Sequence, residues 1–171
     1  VLVESDHSIL TPDNLKLLRE LSNELRDSLS YSDGKATSIV DLEYMIGTEE
    51  GMEITQIVPE EIPTDEAGIA EIEKRLADKP ELAKKLISTD RKQAFINIKL
   101  RPFPEDSVWK AEGEAKGEKA EAPDMKTGRE TAAIIAKEKY APLNPRATGM
   151  PYLSFEKMTY IGQEMGRIFI M

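Results

Sequence analysis

An α+β fold, with helices packed on one face of an antiparallel sheet, is predicted from three features of the sequence. Residues 93–100, "QAFINIKL", alternate apolar and polar in the period-two pattern of a half-buried strand. Leu15, Leu18, Leu21, Leu25 and Leu29 recur at steps of three and four, the mark of an amphipathic helix. β-branched runs and helical patterns also follow one another along the chain, as in a mixed layered domain. At 171 residues the chain has the length of one ordinary domain, so residues 1–171 are expected to form a single unit.

The elements follow in order. "VLVES" reads as a strand that starts without an approach segment, and Thr11-Pro12 supplies an N-cap and a first-turn proline for the leucine helix, which ends before Asp33-Gly34. "KATSIVDLEYMI" and "MEITQIV" read as two strands joined through "GTEEG". Thr64 is expected to cap a helix carrying Ile69, Ile72 and Leu76, and Pro80 to interrupt it and restart a short one through Leu82 and Leu86. In the strand over 93–100, Ala94, Ile96, Ile98 and Leu100 face one side, and Phe95, Asn97 and Lys99 the other.

Residues 104–126 contain few large apolar side chains. Burial there cannot offset ordering entropy, which predicts a flexible insertion anchored at its root by Trp109. Thr127 and Glu130 match a capping box opening a helix through Ile134, Ile135 and Tyr140. A short strand around Arg146 to Thr148 then leads through Gly149 and Pro151 to a last helix, capped by Ser154, whose stripe is Phe155, Met158, Ile161, Met165 and Ile168. A split β-α-β arrangement with right-handed crossovers satisfies this order, so the expected class is ferredoxin-like α+β.

Composition and spacing exclude several chemistries. A net charge of −9 argues against a nucleic-acid partner, because phosphate backbones require clustered Lys and Arg. No apolar run is long enough to span a bilayer, and the lack of cysteine removes disulfides and thiolate metal sites. His7 is the only histidine, so no zinc or iron site and no Ser-His-Asp constellation is expected. The acidic groups Glu49, Glu50 and Glu53, and Glu60, Glu61, Asp65 and Glu66, lack the spacing of a calcium loop and read as solvated charge. Gly113 and Gly117 lack the Gly-Lys-Ser/Thr ending and preceding strand of a phosphate loop. No catalytic residue, cofactor site or metal site is therefore assigned.

Three stretches in sequence carry a family resemblance. "LTPDNLKLLRELSNELRD" with "ATSIVDL" looks like a helix and following strand of the family, with Ser38 displaced from its usual phrase. "LISTDRKQAFINIKL" looks like a family element matched by Leu86, Ile87, Ser88, Asp90, Ile96, Ile98 and Leu100, and "ATGMPYLSFEKMTYIGQEMGR" is similar to a turn-and-helix matched by Thr148, Gly149 and Pro151. Together they resemble the extracytoplasmic loop domain of exporters of the resistance-nodulation-division (RND) superfamily, MMPL-like branch.

That resemblance implies a non-enzymatic, porter-type domain on the outer (periplasmic) side of the cytoplasmic membrane, part of an integral membrane protein. It would take part in export of hydrophobic or lipid-like substrates, driven by ion flow through membrane helices outside this segment. The implied partners are sister porter domains, those membrane helices or a further copy of the chain, with Met45 and Met52 as the expected substrate surface. The alternative is a non-transporting partner-binding domain of an RND-like protein, serving protein export or lipid sensing. The abrupt "VLVES" and "IFIM" ends are expected for a segment taken from between two membrane helices.

Overall fold

A computed structural model describes residues 1–48, 51–117 and 120–169. The chain is α+β. Its elements are β1 (Leu2–Glu4), α1 (Pro12–Ser28), β2 (Ser32–Thr37), β3 (Glu43–Thr48), β4 (Gly51–Gln56), α2 (Glu66–Ala77) and α3 (Pro80–Leu86). They continue as β5 (Gln93–Phe95), β6 (Asn97–Leu100), α4 (Asp106–Lys116), α5 (Pro123–Ile135), a 3-10 helix (Glu138–Leu143) and α6 (Met150–Phe169).

The strands form three antiparallel two-stranded ladders, β1 with β5, β2 with β6 and β3 with β4, where one sheet was expected. The break lies at Ile96, between β5 and β6. Ile96 exchanges hydrogen bonds with Val1 (2.8 and 2.7 Å), whereas Arg101 N–H donates to Tyr31 O on the β2 side. Residues 93–100 thus change partner midway. Leu2 exchanges two 2.8 Å bonds with Arg146 on the far edge of β1, so the spatial order is Arg146, β1, β5/β6, β2.

α1 supplies the centre of the core. Thr11 caps it by accepting from Asn14 N–H (3.3 Å), Pro12 occupies its first turn, and Leu15, Leu18, Leu21 and Leu25 are fully buried, as the periodicity predicts. Ile39, Ile57, Ile72, Leu76, Ala94, Ile96, Tyr140 and Leu143 are buried in the same cluster.

Several boundaries differ from expectation, each for a local reason. "KATSIVDLEYMI" is not one strand: the chain turns at 38–41, where Ser38 Oγ donates to Asp41 Oδ2 (2.6 Å) and accepts from Val40 N–H (3.3 Å), which buries Ile39 and Val40. The cap of α2 is Asp65, accepting from Gly68 N–H (2.9 Å), rather than Thr64. No capping box forms at Thr127, because Pro123 has already started α5. Thr127 Oγ1 donates to Pro123 O (2.8 Å), and Glu130 accepts from Ser30 N–H and Oγ–H (2.9 and 2.6 Å). Tyr140 belongs to the 3-10 helix beyond α5.

The expected flexible insertion at 104–126 contains helix α4, which closes at Gly117 in the left-handed conformation (φ 66°). Trp109 Nε1–H donates to Asp106 Oδ1 (3.3 Å) of that same helix. α6 begins at Met150, which puts Ser154 inside it instead of at its cap. The Ile168 side chain and the last two residues lie outside the described residues.

α5 and α6 meet at Gly128, where an added Cβ would lie 2.5 Å from both Phe155 Cβ and Pro151 O. Gly128→Ala would gain about 1 kcal/mol of helix propensity but overpack this crossing by about 1–3 kcal/mol. The expected result is a net loss of about 1 kcal/mol in urea denaturation, with faster proteolysis within α6. Unchanged stability and unchanged cleavage would show that the two helices do not press together there.

Candidate functional site

Met45 and Met52, singled out from the sequence, fall on the hairpin β3–β4. Met45 pairs with Ile54, and Gly47 with Met52. Directly opposed residues share a face, as do residues two apart along a strand, so Met45, Met52 and Ile54 lie on one face of the hairpin. All three are exposed, at 54, 75 and 62 %. This is a small apolar surface built of adaptable side chains. Ile54 joins the two methionines only through the register across the turn, which residue type and spacing do not reveal.

The other sequence-derived residues shape two turns. Ser88 Oγ donates to Asp90 Oδ1 (2.6 Å) and accepts from Gln93 N–H (2.9 Å), while Asp90 Oδ1 also accepts from Lys92 N–H (3.1 Å). These bonds hold the Asp90 carboxyl below its ordinary pKa. They also hold Arg91 at φ 62°, from where its carbonyl accepts from Ile9 N–H (2.7 Å). The pair thus fixes the entry to β5 and the exit from β1.

Thr148, Gly149 and Pro151 form the turn into α6. Gly149 has φ 111°, which favours glycine, and its carbonyl accepts from Leu153 N–H (3.0 Å). Antiparallel registry carries this turn past the Val1 end of β1, whereas Ser88 and Asp90 sit near the Glu4 end. The two motifs are therefore not brought together.

The remaining chemistry candidates stay apart too. His7 is exposed in a loop, and no group of three potential ligands is assembled among the described residues. Glu60, Glu61, Asp65 and Glu66 are exposed, with Asp65 serving as a cap. Glu49 and Glu50 lie outside the described residues.

The most strongly shifted carboxylate is Glu24 on α1. Its Oε2 accepts from the Tyr140 hydroxyl (2.6 Å) and lies 3.2 Å from Lys139 Nζ, and its Oε1 meets Lys137 Nζ. Burial opposes ionisation, but these three partners outweigh it and lower the Glu24 pKa to about 2. Burial, with Glu24 nearby, pushes the Tyr140 phenol up to about 12. Perturbed groups can mark active sites, but this one ties α1 to the 3-10 helix, its side chain is only 17 % exposed, and none of the candidate residues above belongs to it.

Because the Glu24 pKa is lower in the folded state, its contribution is present above the usual carboxylate range and is lost as pH falls from about 4.5 to about 2. Glu24→Gln should cost about 1–3 kcal/mol at neutral pH, from the lost charged hydrogen bonds. It should also flatten the stability loss over that window, read from urea midpoints between pH 5 and pH 2. A parallel pH profile in the variant would mean that the carboxylate is not so engaged.

Ser88→Ala should cost about 1 kcal/mol, whereas Arg91→Gly, by relieving the left-handed backbone, should be neutral or stabilising by up to about 1 kcal/mol. Equal destabilisation in both variants would discount the turn geometry. Neither a family model, nor a curated protein, nor a solved structure matches the chain.

Proposed function

We propose that the chain is an extracytoplasmic porter-type domain of an RND exporter, MMPL-like branch, which binds and passes hydrophobic or lipid-like molecules. The observation that supports this reading is the order of the motif stretches along an α+β chain. "LISTD" leads into the central strand run, and "ATGMP" leads out of the edge segment into α6.

The spatial order Arg146, β1, β5/β6, β2, with α1 and α5 as the two crossovers, supports a ferredoxin-like split β-α-β, into which β3, β4, α2 and α3 are inserted. In this reading the exposed methionine face of the hairpin contacts substrate or a sister domain, and α6 leads toward the next membrane helix. No helix among the described residues is long and apolar enough to cross a membrane, so this reading requires the spans to lie in flanking sequence.

The test is the parent coding sequence. An apolar run of about 20 residues is expected within about 30 residues of at least one end, with acidic residues inside neighbouring membrane helices. If neither flank carries such a run, the porter reading fails. If membrane helices are present but carry no acidic residue, the partner-binding alternative replaces it.

A further inference from the structure

We propose that the half-open cavity between α1, β6, α5 and the first turn of α6 binds an uncharged apolar group, such as the end of an acyl chain. The cavity measures about 170 Å³. Leu25 and Leu29 of α1 and Ile98 and Leu100 of β6 form its apolar walls. The α5 wall is made by Thr127 and Thr131, side chains too small to fill the space that core packing normally closes.

The two threonine hydroxyls of the α5 wall are already engaged. Thr127 Oγ1 donates to Pro123 O and Thr131 Oγ1 donates to Thr127 O, both at 2.8 Å, so both hydroxyl protons are committed within the helix. Burial, with Glu156 beside it, holds the Tyr152 hydroxyl above its ordinary pKa, and the Val1 amino group donates to Ile96 O (2.7 Å). None of the lining residues has a charged side chain. A cationic or acceptor-rich ligand would lose its hydration with little compensation from these walls, whereas an apolar one loses nothing.

Volume narrows the class further. An apolar cavity of about 150 Å³ holds a benzene-sized molecule, so this one suits a single ring or a chain end of about six carbons. The surrounding elements cannot easily close over it. Glu130 ties α5 to the end of α1 through Ser30, and the contact at Gly128 already sets the approach of α6. Access runs through the turn at Ala147 to Gly149, whose residues are partly or fully exposed. The cavity is separate from the hairpin face, and its ligand chemistry does not rest on the porter reading.

Methyl-resolved NMR of the 171-residue chain, titrated with benzene and with 1-hexanol, tests the proposal. Saturable shifts and intermolecular contacts are expected at Leu29, Ile98 and Thr131, with none at Ile72 or Leu76 on the far side of the core. Ala147→Phe should occupy the mouth and weaken binding at least tenfold, and protonated benzylamine should bind at least tenfold more weakly than benzene. The proposal is overturned if the wild-type chain shows no saturable contacts at these methyls, or if protonated benzylamine binds as well as benzene. Unaltered binding in a folded Ala147→Phe variant would overturn it as well. Should that variant fail to fold, the wild-type contact pattern decides alone. Any of these failures leaves the reading of the flanking membrane helices standing.

Discussion

The apolar stripe of α1 has to be covered on several sides at once. Leu15, Leu18, Leu21 and Leu25 have no solvent exposure, and at about 1.5–3 kcal/mol for each fully buried leucine they contribute on the order of 10 kcal/mol. That is comparable with the net stability of a whole domain, so arrangements that uncover this helix are not competitive. Its polar flanks then capture the segments that do the covering. Ser22 Oγ reaches Asp41 (2.8 Å) in the turn after β2, and Arg19 donates to the carbonyls of Val58, Pro59 and Glu60 after β4. Glu24 holds Tyr140, and Ser30, just beyond the helix, holds Glu130 of α5.

This post-and-clasp arrangement explains which parts of the chain are left uncovered. The β3–β4 hairpin is tied to the core at its base, where Ile57 N–H donates to Leu42 O (2.9 Å), and its methionine face points away from the leucine stripe into solvent. α6 is held at its first turns by α5, while Met158, Ile161 and Met165 further along remain exposed. Apolar surface left out in this way suits contact with other molecules, which is why the proposed function assigns the hairpin a binding role. Pairing of Met45, Met52 and Ile54 on one face gives that assignment a definite geometry.

Much of the secondary structure was legible because the deciding signals are local. Thr11-Pro12, the leucine spacing, Pro80 and the alternation of 93–100 each act within a few residues, and each appears in the structure where expected. The misses share a different cause. Ile39 and Val40 favour strand by type, yet Ser38 and Asp41 offer a turn that buries both, and that gain depends on α1 lying alongside. Thr127 and Glu130 match a capping box in type, but Pro123 starts α5 one turn earlier, and the Glu130 carboxylate is taken by Ser30, 100 positions away. The candidate methionines were visible as residues, but their common face with Ile54 required the cross-strand register.

Taken alone, the amino-acid order determined the α+β class, the leucine helix and its cap, the proline breaks and the absence of cysteine chemistry, because each follows from side-chain type and spacing over short distances. Tertiary structure alone decided that 93–100 changes partner at Ile96, that Arg146 closes the edge beside β1, and that Glu24, Lys137, Lys139 and Tyr140 converge. It also decided that small threonines on α5 leave a cavity under the α6 turn. These features arise between segments brought together by burial of one helix face, and long-range pairing of that kind leaves no periodic mark in the sequence.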